Sequence, residues 1–191
     1  MKLHLGCGSI YLQGYTNVDA FVDKFAADCS IEELEPYTTT FKNYYKYGYC
    51  EGPRGTIADV KADFIDGLPF EDSSIEEIIM IQVLEHIPQY DRCMVLSEIQ
   101  RVLQSGGSFI VGVPDVKETA RLLSEAESLD EEEWAIRLLH GTQRNKYSHH
   151  YCGYTKRTLQ KLLSQYGFSK FEDLPNLNFY PAIYLRAVKR V

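Results

Sequence analysis

Short apolar runs alternate with amphipathic stretches along this chain, and the alternation predicts its elements. Residues 2–5 ("KLHL") predict a strand running into Gly6-Cys7-Gly8, and residues 16–19 predict a second. "TIADVKAD" predicts a third that ends at Asp63. "IEEIIMIQVLEHI" is ambiguous by periodicity alone, but its β-branched density favours a buried parallel strand over about 77–81. Leu96, Ile99 and Leu103 recur at helical spacing, with Gly106-Gly107 expected to stop that helix. "SFIVGVP" (108–114) predicts another buried strand, and helical patterns follow over about 117–123 and 131–139. Thr155 is placed to cap the helix "KRTLQKLLSQY", with Leu159, Leu162, Leu163 and Tyr166 on one face and Gly167 as its stop. The tail "FYPAIYLRAVKRV" predicts a final strand. Strands alternating with helices give an α/β domain around a mainly parallel sheet.

Two segments break this rhythm. Residues 20–56 crowd tyrosines between turn residues ("YTTTFKNYYKYGYCEGPRG"), which suggests either an insertion folded over something or, equally, a surface excursion whose tyrosines pack on themselves. Residues 116–152 end in the polar, aromatic loop "HGTQRNKYSHHYCGY" and are expected to cap the substrate side. The length of 191 residues suits one domain spanning 1–191, and 45% hydrophobic with 25% charged residues is ordinary globular composition. The net charge of −7 and the acidic run "EAESLDEEEW" argue against a broad nucleic-acid surface, although a local basic patch near Arg137, Arg144, Lys146, Lys156 and Arg157 is compatible with it. That acidic run is expected to be a solvated helix face. Five cysteines with no Cys-x-x-Cys pair and no leader-like segment suggest reduced thiols in a cytoplasmic protein. No apolar run approaches the ~20 residues that span a bilayer.

In open parallel sheets the ligand sits beyond the carboxyl ends of the strands, where the strand order reverses. Gly6 and Gly8 end the first strand there, Asp19 the second and Asp63 the third, and Gln82 follows the fourth. Glycine lets backbone approach a ligand closely. A carboxylate at Asp19 suits the vicinal hydroxyls of a ribose, and Asp63 suits an exocyclic amine with Phe64 beside the base. Together they describe a site for an adenosine-bearing cofactor. A nicotinamide dinucleotide fits less well. Its Gly-x-Gly-x-x-Gly fingerprint opens a helix, whereas here the sixth position is Tyr11, Asp19 follows Gly6 by 13 residues, and only residues 9–15 separate the first two strands.

The stretches "LHLGCGS", "YTNVD", "ADFIDGLPFEDSSIEEIIMIQVLEHI", "EIQRVLQSGGSFIVGVPD" and "YTKRTLQKLLSQYGF" resemble the class I S-adenosylmethionine-dependent methyltransferases, most closely the type 11-like branch. The resemblance implies a Rossmann-like, seven-stranded, mainly parallel sheet with an antiparallel final strand and helices on both faces. It places the methionine part of S-adenosylmethionine on Gly6, Cys7 and Gly8, the ribose on Asp19, and the adenine on Asp63 and Phe64, with Gln82 flanking the methionine. Many relatives carry N-terminal helices over the cofactor. The Tyr-rich insertion and the His-containing loop are the expected substitutes.

Methyl transfer from a sulfonium is an in-line displacement in which alignment supplies much of the acceleration, and it requires no metal. A hydroxyl acceptor benefits from a general base, for which the candidates are His86, His149 and His150. Glu85 and Tyr151 are candidates for binding substrate. A metal site at His149, His150 and Cys152 is disfavoured, since adjacent histidines point apart and no fourth ligand is suitably spaced. The expected activity is O-methylation of a small-molecule or saccharide acceptor. The alternatives are a non-catalytic cofactor-binding or scaffold protein of the same fold and, less favoured, a nucleotide-dependent oxidoreductase.

Overall fold

A computed structural model describes residues 1–45, 55–145 and 147–190. Part of the Tyr-rich insertion, including Tyr47 and Tyr49, and Lys146 of the basic patch lie outside the described residues. The main sheet contains β1 (Lys2–Leu5), β2 (Thr16–Asp19), β3 (Val60–Lys61), β4 (Ile75–Ile81), β5 (Leu103–Pro114), β6 (Phe168–Asp173) and β7 (Ala182–Lys189). Their order is β3-β2-β1-β4-β5-β7-β6, seven strands in all. All neighbours are parallel except β7, which runs antiparallel to both β5 and β6. The order reverses between β1 and β4, so the carboxyl ends of these two strands open a crevice there.

Side chains alternate across the sheet. Leu3, Leu5, Ile78, Met80, Phe109 and Val111 face one core, which α2 (Arg92–Val102) closes with Val95, Leu96, Ile99 and Val102, and α5 (Lys156–Gln165) closes with Leu159 and Leu163. Thr155 begins α5 with a capping box shared with Thr158. Ile79, Ile81 and Ile110 face the other side, where Ile10, Leu12 and Tyr44 cover them. There the expected helical cover is reduced to the single turn Phe41–Asn43 and extended segments. The four-residue α1 (Ile31–Leu34) has no buried residue.

Buried polar bonds brace this thinly covered face. His4 is fully buried, with Nδ1 2.8 Å from Asn17 Oδ1 and Nε2 2.6 Å from the Tyr44 hydroxyl. Asn17 donates its Nδ2 to the carbonyls of Leu12 and Tyr15, which orients its oxygen toward His4. Asp59 accepts from the Asn17 amide and from the Tyr11 hydroxyl. Residues 9–15 therefore form no crossover helix. They run through Tyr11–Leu12, which pairs in parallel with Thr38–Thr39.

Two expectations need correction. Gly106-Gly107 do not stop a helix: α2 ends at Val102, and both glycines lie inside β5. The register there jumps from Ile75↔Leu103 to Glu77↔Ser108, so β5 carries extra residues against β4, and Gly106 adopts a positive φ of 76° to make the bulge. The predicted third strand also divides. Ile57–Ala58 pairs with Lys24–Phe25, Asp59 turns into the polar network, and only Val60–Lys61 joins the main sheet, leaving Asp63 two residues beyond its end.

α3 (Val116–Ser124) and α4 (Leu129–His140) lie between β5 and α5 in the chain. Asp115 caps α3, accepting from the amides of Lys117 and Glu118, and Ser128 caps α4. Asp130, Glu131 and Glu132 occupy the first turn of α4, where the helix dipole favours negative charge. The acidic run is thus partly a helix start as well as a solvated face.

Candidate active site

A cleft of about 380 Å³ opens at the reversal point of the sheet. Gly6, Asp19, Asp63, Phe64, Gln82, His86 and Tyr151 all line it, joined by Ala20, Phe21, Val83 and Tyr147. Thus the candidates from the first four strand ends meet in one cavity. Cys7, Gly8, Glu85, His149 and His150 do not line it.

The first turn is built by close packing. Gly6 has a φ of 70°, and a Cβ there would lie 2.3 Å from Cγ2 of Val83. Only glycine lets β1 end against the residue that follows Gln82. The amides of Gly6 and Cys7 both donate to the Val18 carbonyl, at 2.8 and 3.2 Å, while Gly8 N donates to Asp19 Oδ2 at 2.8 Å. The loop's amides are therefore engaged within the protein. The Cys7 side chain turns away from the cleft into the core, with Sγ 3.7 Å from the Ile57 carbonyl, and burial pushes its thiol pKa well up. This thiol is not a nucleophile.

Asp19 is fixed from two sides, because Phe21 N donates to its Oδ1 at 2.9 Å. Burial raises its pKa despite these amide bonds. A carboxylate has about four acceptor sites, so capacity remains for a ligand. Asp63 Oδ1 accepts from Ile65 N at 3.2 Å, and Phe64 is 8% exposed, forming the floor beside it. Gln82 sits at a φ of 56°, unusual for a non-glycine residue, with its amide bonded to the Gly112 carbonyl at 2.8 Å. Its Nε2 is buried without a hydrogen-bond partner among the described residues. Strain and an unsatisfied donor coincide at one cleft residue, the combination expected where a ligand completes the structure.

On the other side of the cleft, residues 84–86 form a single turn after β4. His86 Nδ1 lies 2.9 Å from the His149 carbonyl. A carbonyl only accepts, so the imidazole carries its proton on Nδ1 and presents a lone pair at Nε2. Burial, reinforced by the neighbouring His150, lowers its pKa to about 4, which keeps it neutral. Glu85 is 1% exposed, and burial pushes its carboxyl up to about 8. Its backbone carbonyl accepts from the amides of Tyr151 and Cys152, pinning the loop after α4 to this turn. Arg92 adds bonds to the Tyr154 hydroxyl and Cys152 Sγ. The ring of His149 stacks on Tyr151, while His150 bonds the Leu138 carbonyl and lies edge-on to His86.

Sequence reasoning missed Phe21 and Tyr147, whose rings meet edge to face with centroids 4.6 Å apart at the cleft. The available signal was the position of Phe21 two residues after Asp19 and the aromatic character of the loop containing Tyr147. Among the described residues no helix is long and apolar enough to cross a membrane.

A methyltransferase domain family model matches residues 5–172. The chain belongs to that family. It is 35% identical over 57 residues to an S-adenosylmethionine-dependent methyltransferase of Mycolicibacterium smegmatis, covering 30% of this chain and 21% of that protein. It is 50% identical over 44 residues to a sterol 4-C-methyltransferase of Caenorhabditis elegans, covering 23% and 13%. Both matches thus span about a fifth or less of these relatives. An S-adenosylmethionine-dependent methyltransferase from Methanosarcina mazei superposes with a TM-score of 0.55 at 18% identity, over 100% of this chain and 92% of that one. The fold is the class I methyltransferase fold.

Proposed function

We propose that the protein methylates an oxygen of a small-molecule or saccharide acceptor, using S-adenosylmethionine held along the wall made by Gly6, Asp19, Asp63, Phe64 and Gln82. The observation that carries this reading is their convergence on one cleft whose opposite side presents the Nε2 lone pair of His86. Asp19 takes the ribose hydroxyls, Asp63 and Phe64 the adenine, and Gln82 Nε2 an acceptor atom of the methionine part. Of the glycine turn only Gly6 lines the cleft, and the methionine ammonium lies against it. A diphosphate would need free loop amides, and those of residues 6–8 are engaged internally.

For a hydroxyl acceptor, the proton passes to His86 Nε2 while the oxygen takes the methyl group and the sulfonium leaves as a neutral thioether. The lowered pKa of His86 keeps it unprotonated in the resting site. His149 positions His86 through its carbonyl, and His150 crowds its ring from the side. Tyr151 and Tyr147 border the acceptor end, with Glu85 behind them. Phe21 and Tyr147, whose rings meet at the cleft, act as the cover.

Calorimetry with S-adenosylmethionine, S-adenosylhomocysteine and NAD tests the cofactor wall. Both sulfur ligands should bind, NAD should not, and Asp19→Asn should weaken binding at least tenfold, about 1.4 kcal/mol. Radiolabelled methyl transfer to panels of hydroxyl, amine and carbon acceptors tests the chemistry. Label accumulating only on nitrogen or carbon would overturn O-methylation, and well-folded protein that binds neither sulfur ligand would overturn the whole reading.

A further inference from the structure

Among the described residues the carboxylate of Glu85 has no hydrogen-bond partner for either oxygen, although it is almost fully buried. Such a group is costly unless a proton or a cation satisfies it. Two imidazoles lie beside it. His86 Nε2 is 3.9 Å from Glu85 Oε1, and donor atoms of Glu85, His86 and His150 all lie within 4.8 Å of one another. Both imidazoles have the same tautomer for the same reason. His86 Nδ1 donates to the His149 carbonyl and His150 Nδ1 to the Leu138 carbonyl, at 2.9 and 3.0 Å. Each is left with Nε2 as a free base, and backbone carbonyls on the far nitrogens are the outer-shell arrangement that orients histidine ligands.

We infer that Glu85, His86 and His150 form a binding site for one divalent first-row transition ion at the edge of the cleft. Two neutral nitrogens and one carboxylate oxygen form a borderline donor set, which suits zinc or cobalt and is poor for magnesium or calcium. Ligands bound to one such ion at ~2.0–2.1 Å stand roughly 3–3.5 Å apart, so donor atoms now within 4.8 Å of one another close by up to about 1.5 Å, through side-chain rotation. The frame that holds them is fixed. Tyr151 N and Cys152 N both bond the Glu85 carbonyl, joining the loop that carries His150 to the turn that carries the other two. Three protein ligands leave a position for water or an acceptor oxygen.

The sequence alone did not show this set. It drew attention to His150 through its neighbours His149 and Cys152, whereas its partners stand 64 and 65 positions earlier in the chain. The His149 ring takes no part and stacks on Tyr151. The inference goes beyond the acceptor reading, since an ion on His86 Nε2 would take the lone pair that accepts the hydroxyl proton, so His86 acts as a base only in the metal-free protein. Its test needs no turnover, so the two can fail separately.

Chelator-treated full-length protein would be titrated with Co2+ and followed by visible absorption, with equilibrium dialysis for stoichiometry and thermal melts in Zn2+ or Mg2+. One equivalent should bind with intensified d–d bands, and Zn2+ but not Mg2+ should raise Tm. Glu85→Gln and His150→Ala should each weaken Co2+ binding at least tenfold, while His149→Gln should retain it. Calorimetry with S-adenosylhomocysteine on Glu85→Gln should still show binding, confirming a folded cofactor wall. Absence of saturable one-equivalent binding below ~1 mM overturns the site, as does binding that survives either substitution unchanged.

Discussion

Acidification should loosen the protein through His4, and the size of the effect follows from its surroundings. The ring is fully buried between Asn17 and Tyr44, and burial lowers its pKa from 6.5 to about 4, the Asn17 bond pulling weakly the other way. In the unfolded chain it titrates near the ordinary value. Between pH 4 and 6.5 the unfolded state therefore binds more protons, so stability is intact above 6.5 and falls as pH drops toward 4. Lowering the pKa from 6.5 to about 4, at ~1.4 kcal/mol per pH unit, amounts to about 3.5 kcal/mol in full, of which about 3 kcal/mol has been lost by pH 4, a large share of a domain's net stability. His86 and His150 also have lowered pKa values, so the measurement must isolate one residue. Urea unfolding of the parent and of His4→Phe at pH 7 and pH 4 does so. The variant should be less stable at pH 7, since Asn17 and Tyr44 lose a shared partner, yet its loss on acidification should be about 3 kcal/mol smaller. Equal acid losses in both proteins, to within about 1 kcal/mol, would refute the assignment of a neutral buried His4 as the acid-sensitive brace.

Further outcomes follow from the cleft and its frame. Gly6→Ala places a Cβ 2.3 Å from Val83 Cγ2 at a positive φ. It should cost several kcal/mol in urea unfolding and at least tenfold in cofactor affinity, with Val83→Ala restoring part of both in a double-mutant cycle. Gln82→Asn should separate stability from binding: asparagine tolerates the φ of 56° better, so Tm should hold or rise, while the shortened amide should weaken S-adenosylhomocysteine binding in calorimetry. Unchanged affinity there would remove Gln82 from the cofactor wall. Arg92→Met removes bonds to Tyr154 and Cys152, so hydrogen exchange should speed up in residues 147–154 while β4 stays protected. Ser128→Ala should cost about 1 kcal/mol through its lost cap, read by urea unfolding.

The legible parts of the fold were those where one physical signal dominates. The continuous apolar run at Ile78–Ile81 and the helical spacing of Leu96 and Ile99 both reflect burial, and burial is written in residue type. β6 was not picked out, because an edge strand buries little: in "FSKFED" only Phe168 is fully covered. The bulge at Gly106 was misassigned because a glycine with positive φ ends a helix and kinks a strand equally well. The His4–Asn17–Asp59 network was invisible because each member is an ordinary polar residue until the fold brings residues 13 to 55 positions apart together. Candidates from strand ends converged because strand order alone carries them to one crevice. Glu85, His86 and His150 depend instead on how a loop docks, which no local pattern records.

The short connection between β1 and β2 bears most directly on chemistry. A crossover helix would present free N–H groups and a positive dipole end to whatever lies on the glycine turn, and such a surface favours phosphate. Without it, the turn must satisfy its own amides. Gly6 and Cys7 spend theirs on Val18, and Gly8 spends its own on Asp19. The last of these bonds also sets the carboxylate that is proposed to hold the ribose, so one hydrogen bond both closes the turn and orients its neighbour. The donor available to an anionic ligand group then lies across the crevice, at the unpartnered Nε2 of Gln82. A cofactor with a zwitterionic amino-acid tail matches this arrangement, with its ammonium against Gly6 and its carboxylate toward Gln82. On the proposed reading, the anion-binding role thus falls to the fourth strand instead of the first. S-adenosylhomocysteine should accordingly lose more affinity with Gln82→Asn than 5′-methylthioadenosine does, because only the former carries the carboxylate. Equal losses for the two ligands would place the Gln82 amide against the nucleoside instead.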